Sequence, residues 1–365
     1  MTAKEEYENF LEYYYFDYNI LNSIISFWEN TDNPTYKTSY SLFIILTQFY
    51  DLNKTCIPYS MAHIWDIING TKKYADKVNF IDKISKRWYV SEDIDNNLIR
   101  IDKCDNISDH FDEVFESMKM TDEIRSAFDP LIELGFEKSL KNDDYSKMVN
   151  FEYYNKMIEI YKQKKVKSIY DIFQFNYKMI NIMNVKNNLN VNIVSKEELI
   201  KNIEKFMLNN NLLSSINVKS IAKFENFYNK NLLNFQQSEF SKKIFMYSFL
   251  CDYVGVTKES KNKVNKDTFA SGMINDLIHL SIGLRCPNFI TNDKNLKTKA
   301  VICKKLLNLN VRIFDNENFC QYLINQYVKI NFPKKDQKEF KISIELNNEK
   351  YQKTFIIDFN KTLYQ

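Results

Sequence analysis

The sequence predicts an α/β protein: a parallel sheet flanked by helices, split by a mainly α-helical insertion and followed by a C-terminal β-hairpin. Three observations predict it. Two short apolar runs, Tyr13 to Phe16 and Asn288 to Ile290, each end in a polar, acidic cluster just before a helical pattern. A strand that runs out into polar residues before a helix is where open α/β sheets place their ligand sites. Between about 105 and 240 the apolar spacing is helical throughout, and from Lys338 to Phe359 apolar and polar residues alternate around Asn347-Asn348, a hairpin signal.

Composition narrows the function classes. A length of 365 residues allows one large or two ordinary domains, and 15% aromatic residues make a folded core the expectation. Five glycines and five prolines favour long helices over tight turns. A net charge of +3 does not announce nucleic-acid binding, so any basic footprint must be local. The six cysteines are scattered without a CxxC pair and only three histidines are present, which argues for reduced buried thiols over zinc. No basic-then-apolar leader opens MTAKEEYENF, and no apolar run is long enough to span a bilayer. The expectation is a soluble, cytoplasmic protein without a membrane partner.

Taken in order, Tyr13 to Phe16 is a β-favouring aromatic run, and Ile24, Ile25, Phe27 and Trp28 have helical spacing after Asp17. A second helix is expected around Leu42 to Tyr50, then a strand at Cys56-Ile57 stopped by Pro58. Ser60 is a candidate cap for a helix Met61 to Ile68, on which His63 and Asp66 share a face. Val78, Ile81, Ile84 and Trp88 predict a helix from Ala75 to Val90, with a small hairpin over 91–103. Later helices are expected around Ile244 to Leu250, from Phe269 to Leu284 with Asp267 as cap, and from Lys294 to Leu307. A strand Val311 to Phe314 and a helix through Phe319, Tyr322 and Leu323 complete the unit. The chain thus divides into 1–90 and 241–330 as two halves of one α/β unit, 91–240 as the insertion, and 331–365 as the hairpin extension.

Four aspartates stand out by their placement. Asp17 and Asp293 sit at strand ends, Asp66 on the helix after the second strand, and Asp276 in the middle of a helix where a capping role fails. Such a carboxylate cluster is explained best by a divalent metal, because Mg²⁺ and Mn²⁺ take hard oxygen ligands and unneutralised carboxylates repel one another. The bland alternatives are a helix cap for Asp17 or Asp293 and a surface ion pair for Asp276.

Together, YYYFDYNIL, IPYSMAHIWDI and NDLIHLSIGLRCPNFITND resemble the PIN-domain nucleases. In that resemblance Asp17, Asp66, Asp276 and Asp293 are the catalytic, metal-binding acids for Mg²⁺ or Mn²⁺. Two departures stand out: the second acid is usually glutamate, and the interval from Asp66 to Asp276 is 210 residues, several times the usual one. Asn19, Ser60, His63, His279, Thr291 and Asn292 are expected to orient those acids or touch substrate, and Lys294, Lys297 and Lys299 to contact nucleic acid. The resemblance implies a PIN-like sheet and a metal-dependent endoribonuclease acting on RNA, with a toxin or defence role. It further implies a restraining protein partner or a homo-oligomer. The alternatives are a catalytically weak nucleic-acid- or protein-binding module and a structure-specific DNA nuclease.

Overall fold

The computed structural model describes residues 12–29, 55–69, 74–126, 155, 158–162, 168–182, 187, 189, 191–192, 194–209, 218–231, 238–257, 259–266, 268–331, 339–346 and 349–356. The expected helix at Leu42 to Tyr50 and the expected cap Asp267 lie outside the described residues.

The first strand segment takes part in two small parallel pairings. Its first part, β1 (Glu12–Tyr13), pairs parallel with β3 (Thr55–Cys56), and its second, β2 (Tyr15–Phe16), pairs parallel with β7 (Asn288–Ile290). The Tyr14 N–H reaches the Cys56 carbonyl at 3.0 Å and bridges the two pairings. Outward on one side, β7 pairs parallel with β8 (Arg312–Phe314). On the other side β4 (Tyr59–Ser60) pairs parallel with β5 (Trp88–Asp93), which turns back antiparallel into β6 (Leu98–Lys103). The β4-β5-β6 sheet is separate from the β2-β7-β8 sheet. The parallel strands β2 and β7 bring their carboxyl ends side by side, the edge at which parallel sheets commonly place ligand sites.

Alternation along the central strand sorts the core into two layers, because successive side chains leave opposite faces of a strand. Tyr14 and Phe16 join Ile290 and Phe314 in one buried cluster, whereas Tyr15 joins Phe289 and Val90 in the other. On the first face lie α1 (Tyr18–Glu29), α2 (Met61–Asn69), α3 (Tyr74–Ser85), α4 (Ile107–Ser126) and α12 (Asn316–Asn331). On the second lie α5 (Ile169–Ile182), α6 (Lys196–Asn209), α7 (Ile221–Asn231) and α8 (Glu239–Tyr253). The short α9 (Lys261–Val264), α10 (Phe269–Gly283) and α11 (Lys294–Leu307) share that face. Tyr177, Leu199 and Phe224, from the expected insertion, are thus packed in the same core as Leu280 of α10 and Ala300 of α11. The hairpin β9 (Glu339–Leu346) with β10 (Glu349–Ile356) is antiparallel, and its turn at 347–348 lies outside the described residues.

Two elements differ from expectation. The helix expected to reach Val90 stops at Ser85, because Lys86 and Arg87 take left-handed backbone conformations with φ of 51° and 68°. Left-handed geometry costs an L-residue about 1–2 kcal/mol, and three bonds at Arg87 offset it. Its N–H reaches Ser85 Oγ at 3.1 Å, its carbonyl accepts from Cys104 N–H, and its guanidinium donates to the Asp105 carbonyl. The β-favouring run Trp88-Tyr89-Val90 then becomes the third parallel strand, so the boundary expected at residue 90 falls inside β5. Strand β3 ends before Pro58 as expected, but a second short strand that was not expected, β4, follows it and pairs with β5, away from β1.

A candidate carboxylate centre at the carboxyl ends of the central strands

Backbone pairing brings the acids together. The Asp17 N–H donates to the Ile290 carbonyl at 2.9 Å, and the Thr291 N–H donates to the Phe314 carbonyl at 2.9 Å, so β2, β7 and β8 end side by side. Helix α10 is held over this edge by a close approach at Gly283, where a Cβ would run into the Phe289 ring. It is also tied to α2 by Asn275, whose side-chain amide donates to the Ala62 carbonyl at 3.1 Å.

Each acid has a distinct environment. Asp17 is buried, and its carboxylate accepts from Thr291 Oγ1 at 2.8 Å and from the Asn19 amide at 3.3 Å rather than from the start of α1. Asp293 is in part the helix cap its position allows, since one oxygen accepts from the Leu296 N–H at 2.9 Å. Its own N–H donates to Thr291 Oγ1 at 3.1 Å, so Thr291 links the two strand-end acids. Asp66 accepts from His279 Nε2 at 3.1 Å and is partly exposed. Asp276 is partly exposed and has no hydrogen bond or ion pair among the described residues.

Asp17 and Asp276 both feel the charges of neighbouring acids. Burial, then the charge of Asp17, pushes Asp276 from its ordinary 3.8 to about 7, with Lys263 opposing and Asp293 adding to the rise. Burial also raises Asp17, an effect eased by His279 and Thr291 and reinforced by Asp66 and Asp293. For His279 burial opposes the charged form, but the hydrogen bond to Asp66 and the charges of Asp17, Asp66 and Asp276 together raise its pKa. Like charges held together in a dry site repel, and a cation relieves the strain.

A buried hydrogen-bond chain runs behind the acids. His279 Nδ1 meets the Tyr15 hydroxyl at 2.8 Å, and that hydroxyl meets Ser60 Oγ at 2.7 Å. Ser60 Oγ in turn lies 3.1 Å from His63 Nδ1. The Ser60 N–H donates to His63 Nδ1 at 3.0 Å, which fixes that nitrogen as acceptor and leaves Nε2–H to donate to the Phe16 carbonyl at 2.7 Å. Burial and the nearby His279 charge hold His63 well below its ordinary range, in keeping with a neutral ring. With His279 charged, both of its N–H groups donate, and every hydroxyl in the chain points toward His63.

The centre therefore joins Asp17, Asp66, Asp276, Asp293, Asn19, Thr291 and His279, with Ser60 and His63 one step behind. Ser60 is not a plain cap: its hydroxyl is bonded to Tyr15 and His63. Asn292 turns elsewhere, its side-chain oxygen accepting from the Asn316 N–H at the start of α12. Of the three expected nucleic-acid contacts, Lys294 is exposed, Lys297 pairs with Asp315 at 2.6 Å, and Lys299 is buried against Asp252 at 2.7 Å. Comparison of the chain with protein-family models, with curated proteins and with solved structures returned no match.

Four residues of the neighbourhood were not among the expected site residues. Tyr15 orders the histidine, and nothing in an aromatic strand run marks it out from Tyr13 or Tyr14. Glu259, Lys263 and Asn295 line a small pocket beside Asp276 and Asp293. The i,i+4 spacing of Glu259 and Lys263 is a helical-pair signal that points to their contact.

The donor set suits a hard divalent cation: four carboxylates in a partly dry crevice, two of them raised by burial and mutual repulsion. Among the described residues no three His, Cys, Asp or Glu side chains stand close enough to enclose one ion.

Proposed function

We propose that the protein is a PIN-like, metal-dependent nuclease that hydrolyses phosphodiester bonds, with RNA as the expected substrate. The observation that carries this reading is the gathering of Asp17, Asp276 and Asp293 near the carboxyl ends of β2 and β7, with Asp66 acting on Asp17 from α2. Asp276 and Asp17, the two acids raised by burial, would be the ligands of Mg²⁺ or Mn²⁺, and Asp293, which caps α11, would stand behind retained water. Asp66, turned toward His279, would act through retained water.

A bound divalent cation would supply charge neutralisation at a phosphate and a water of lowered pKa. The chain's own groups do the rest. Thr291 and Asn19 hold the Asp17 carboxylate in one orientation. His279 fixes Asp66, and with both ring nitrogens occupied it serves to orient rather than to shuttle protons. The apolar layers beneath the sheet edge keep bulk water from the inner side of the acids, which strengthens every charge interaction there.

The test is cleavage of mixed single-stranded and structured RNA by the purified protein in Mn²⁺, beside a chelator control and Asp293→Asn. Loss of cleavage in both controls is the expected result. RNA cleavage that persists in chelator would end the metal reading. A second reading, a nucleic-acid-binding module with weak catalysis, draws on the spacing of the acids and on Asp66 being occupied by His279. It is favoured if RNA binds equally to both proteins and neither cuts.

A further inference from the structure

The lysines that follow Asp293 in sequence are poorly placed to meet a phosphate. Lys297 is committed to Asp315 and Lys299 is buried on Asp252. Lys263 approaches from a different direction. It lines the same small pocket as Asp276 and Asp293, on a four-residue helix with its side chain 45% exposed. Its ammonium is held at 3.0 Å by Glu259, which is itself bonded by the Asn295 amide at 3.2 Å. The Lys263 charge acts on Asp276, and Asp276 and Asp293 act on Lys263 in return.

We propose that Lys263 is the residue of this centre that grips the nucleic-acid backbone, exchanging its contact with Glu259 for a phosphate oxygen when a strand enters. This deepens the nuclease reading and rests on it for the position of the strand. A phosphate seated between Lys263 and the acid-bound cation has positive charge on both sides. Glu259, anchored by Asn295, parks the ammonium beside the pocket when no strand is present and so keeps it from neutralising Asp276 outright. The Asn295 amide stays on Glu259 when the ammonium leaves, so the carboxylate keeps a hydrogen-bond partner.

The experiment measures RNA affinity and RNA cleavage in Mn²⁺ for the full chain, Lys263→Ala, Lys263→Arg and Glu259→Gln. Removing one phosphate contact is expected to weaken RNA binding about tenfold and to lower the slope of log affinity against log salt by about one. Lys263→Arg should recover most of the affinity, and Glu259→Gln should tighten it. Cleavage at saturating RNA should change far less than affinity does. Equal affinity of the wild type and Lys263→Ala would overturn the inference, and so would tighter Mn²⁺ binding by Lys263→Ala with RNA affinity unchanged, because the lysine would then be only a counter-ion. RNA binding that depends on Lys263 without cleavage by the wild type would sink the nuclease reading and keep this one. A wild-type protein that binds no RNA would sink both.

Discussion

Two carboxylates lie within one layer of this molecule, and their treatment is opposite. Asp252 on α8 is 1% exposed and fully engaged, accepting from the Tyr177 hydroxyl, from Thr257 Oγ1 at 2.6 Å and from Lys299 at 2.7 Å. Its partners come from α5, α11 and the turn after α8, so it ties the helices over the second face of the sheet into one body. Asp276 lies across the same small pocket that Lys299 lines, yet it has no bond among the described residues and is surrounded by other acids. A buried charge that is paired and hydrogen-bonded belongs to the architecture, whereas a cluster whose charges the chain itself does not satisfy marks a place prepared for something else.

The largest way to break that contrast is to remove the partner of the satisfied acid. Lys299→Met leaves Asp252 charged and buried and is expected to cost about 3–5 kcal/mol, read by urea denaturation. A loss below about 1 kcal/mol would mean that the Asp252 group is no more structural than the acid cluster. At the unsatisfied acid the sign reverses. Asp276→Asn should stabilise the metal-free protein at pH 8 by about 1–2 kcal/mol, a figure already reduced for partial exposure, while cleavage is lost.

The same acid sets a pH dependence. Its folded pKa of about 7 lies above its ordinary 3.8, so the folded state binds the extra proton. The associated stability is fully present below about 4 and is lost as pH rises through about 7. Melting temperature of the metal-free wild type should therefore fall across that window more than that of Asp276→Asn, and the stabilisation by Mn²⁺ should grow over the same range. Parallel curves for the two proteins would count against the placement of Asp276. Tyr15→Phe removes a hydroxyl between Ser60 and His279 and should cost about 1 kcal/mol, with weakened Mn²⁺ binding through the freed His279–Asp66 pair. Lys297→Ala breaks only a half-exposed pair with Asp315 and should change stability by less than about 1 kcal/mol.

What was legible in the chain follows the same division. The strand ends at Asp17 and Asp293 and the helix from Lys294 to Leu307 could be read directly, because an apolar run meeting a charged cap is a local signal. Helix α11 begins and ends where the residues place it, with Asp293 as cap and Asn308 in the left-handed turn at φ 54°. The third parallel strand could not be read that way: Ile81, Ile84 and Trp88 continue a helical spacing, and no glycine or asparagine announces the left-handed pair Lys86-Arg87. Side-chain direction was the other hidden quantity. Lys299 and Lys294 look alike in sequence, yet one faces Asp252 in the core and the other faces solvent. Asn292, next to a strand-end acid, spends its oxygen on α12 instead. Tyr15 gains its role only when α10 arrives from 264 residues away.

The measurement that bears most directly on the unsatisfied centre is thermal unfolding at pH 8, with and without Mn²⁺, for the wild type and Asp276→Asn. Two results are expected together: without metal the variant melts higher than the wild type, and Mn²⁺ raises the melting temperature of the wild type alone. A variant that melts lower without metal, beside a wild type indifferent to Mn²⁺, would contradict the reading of these four aspartates as a cation site.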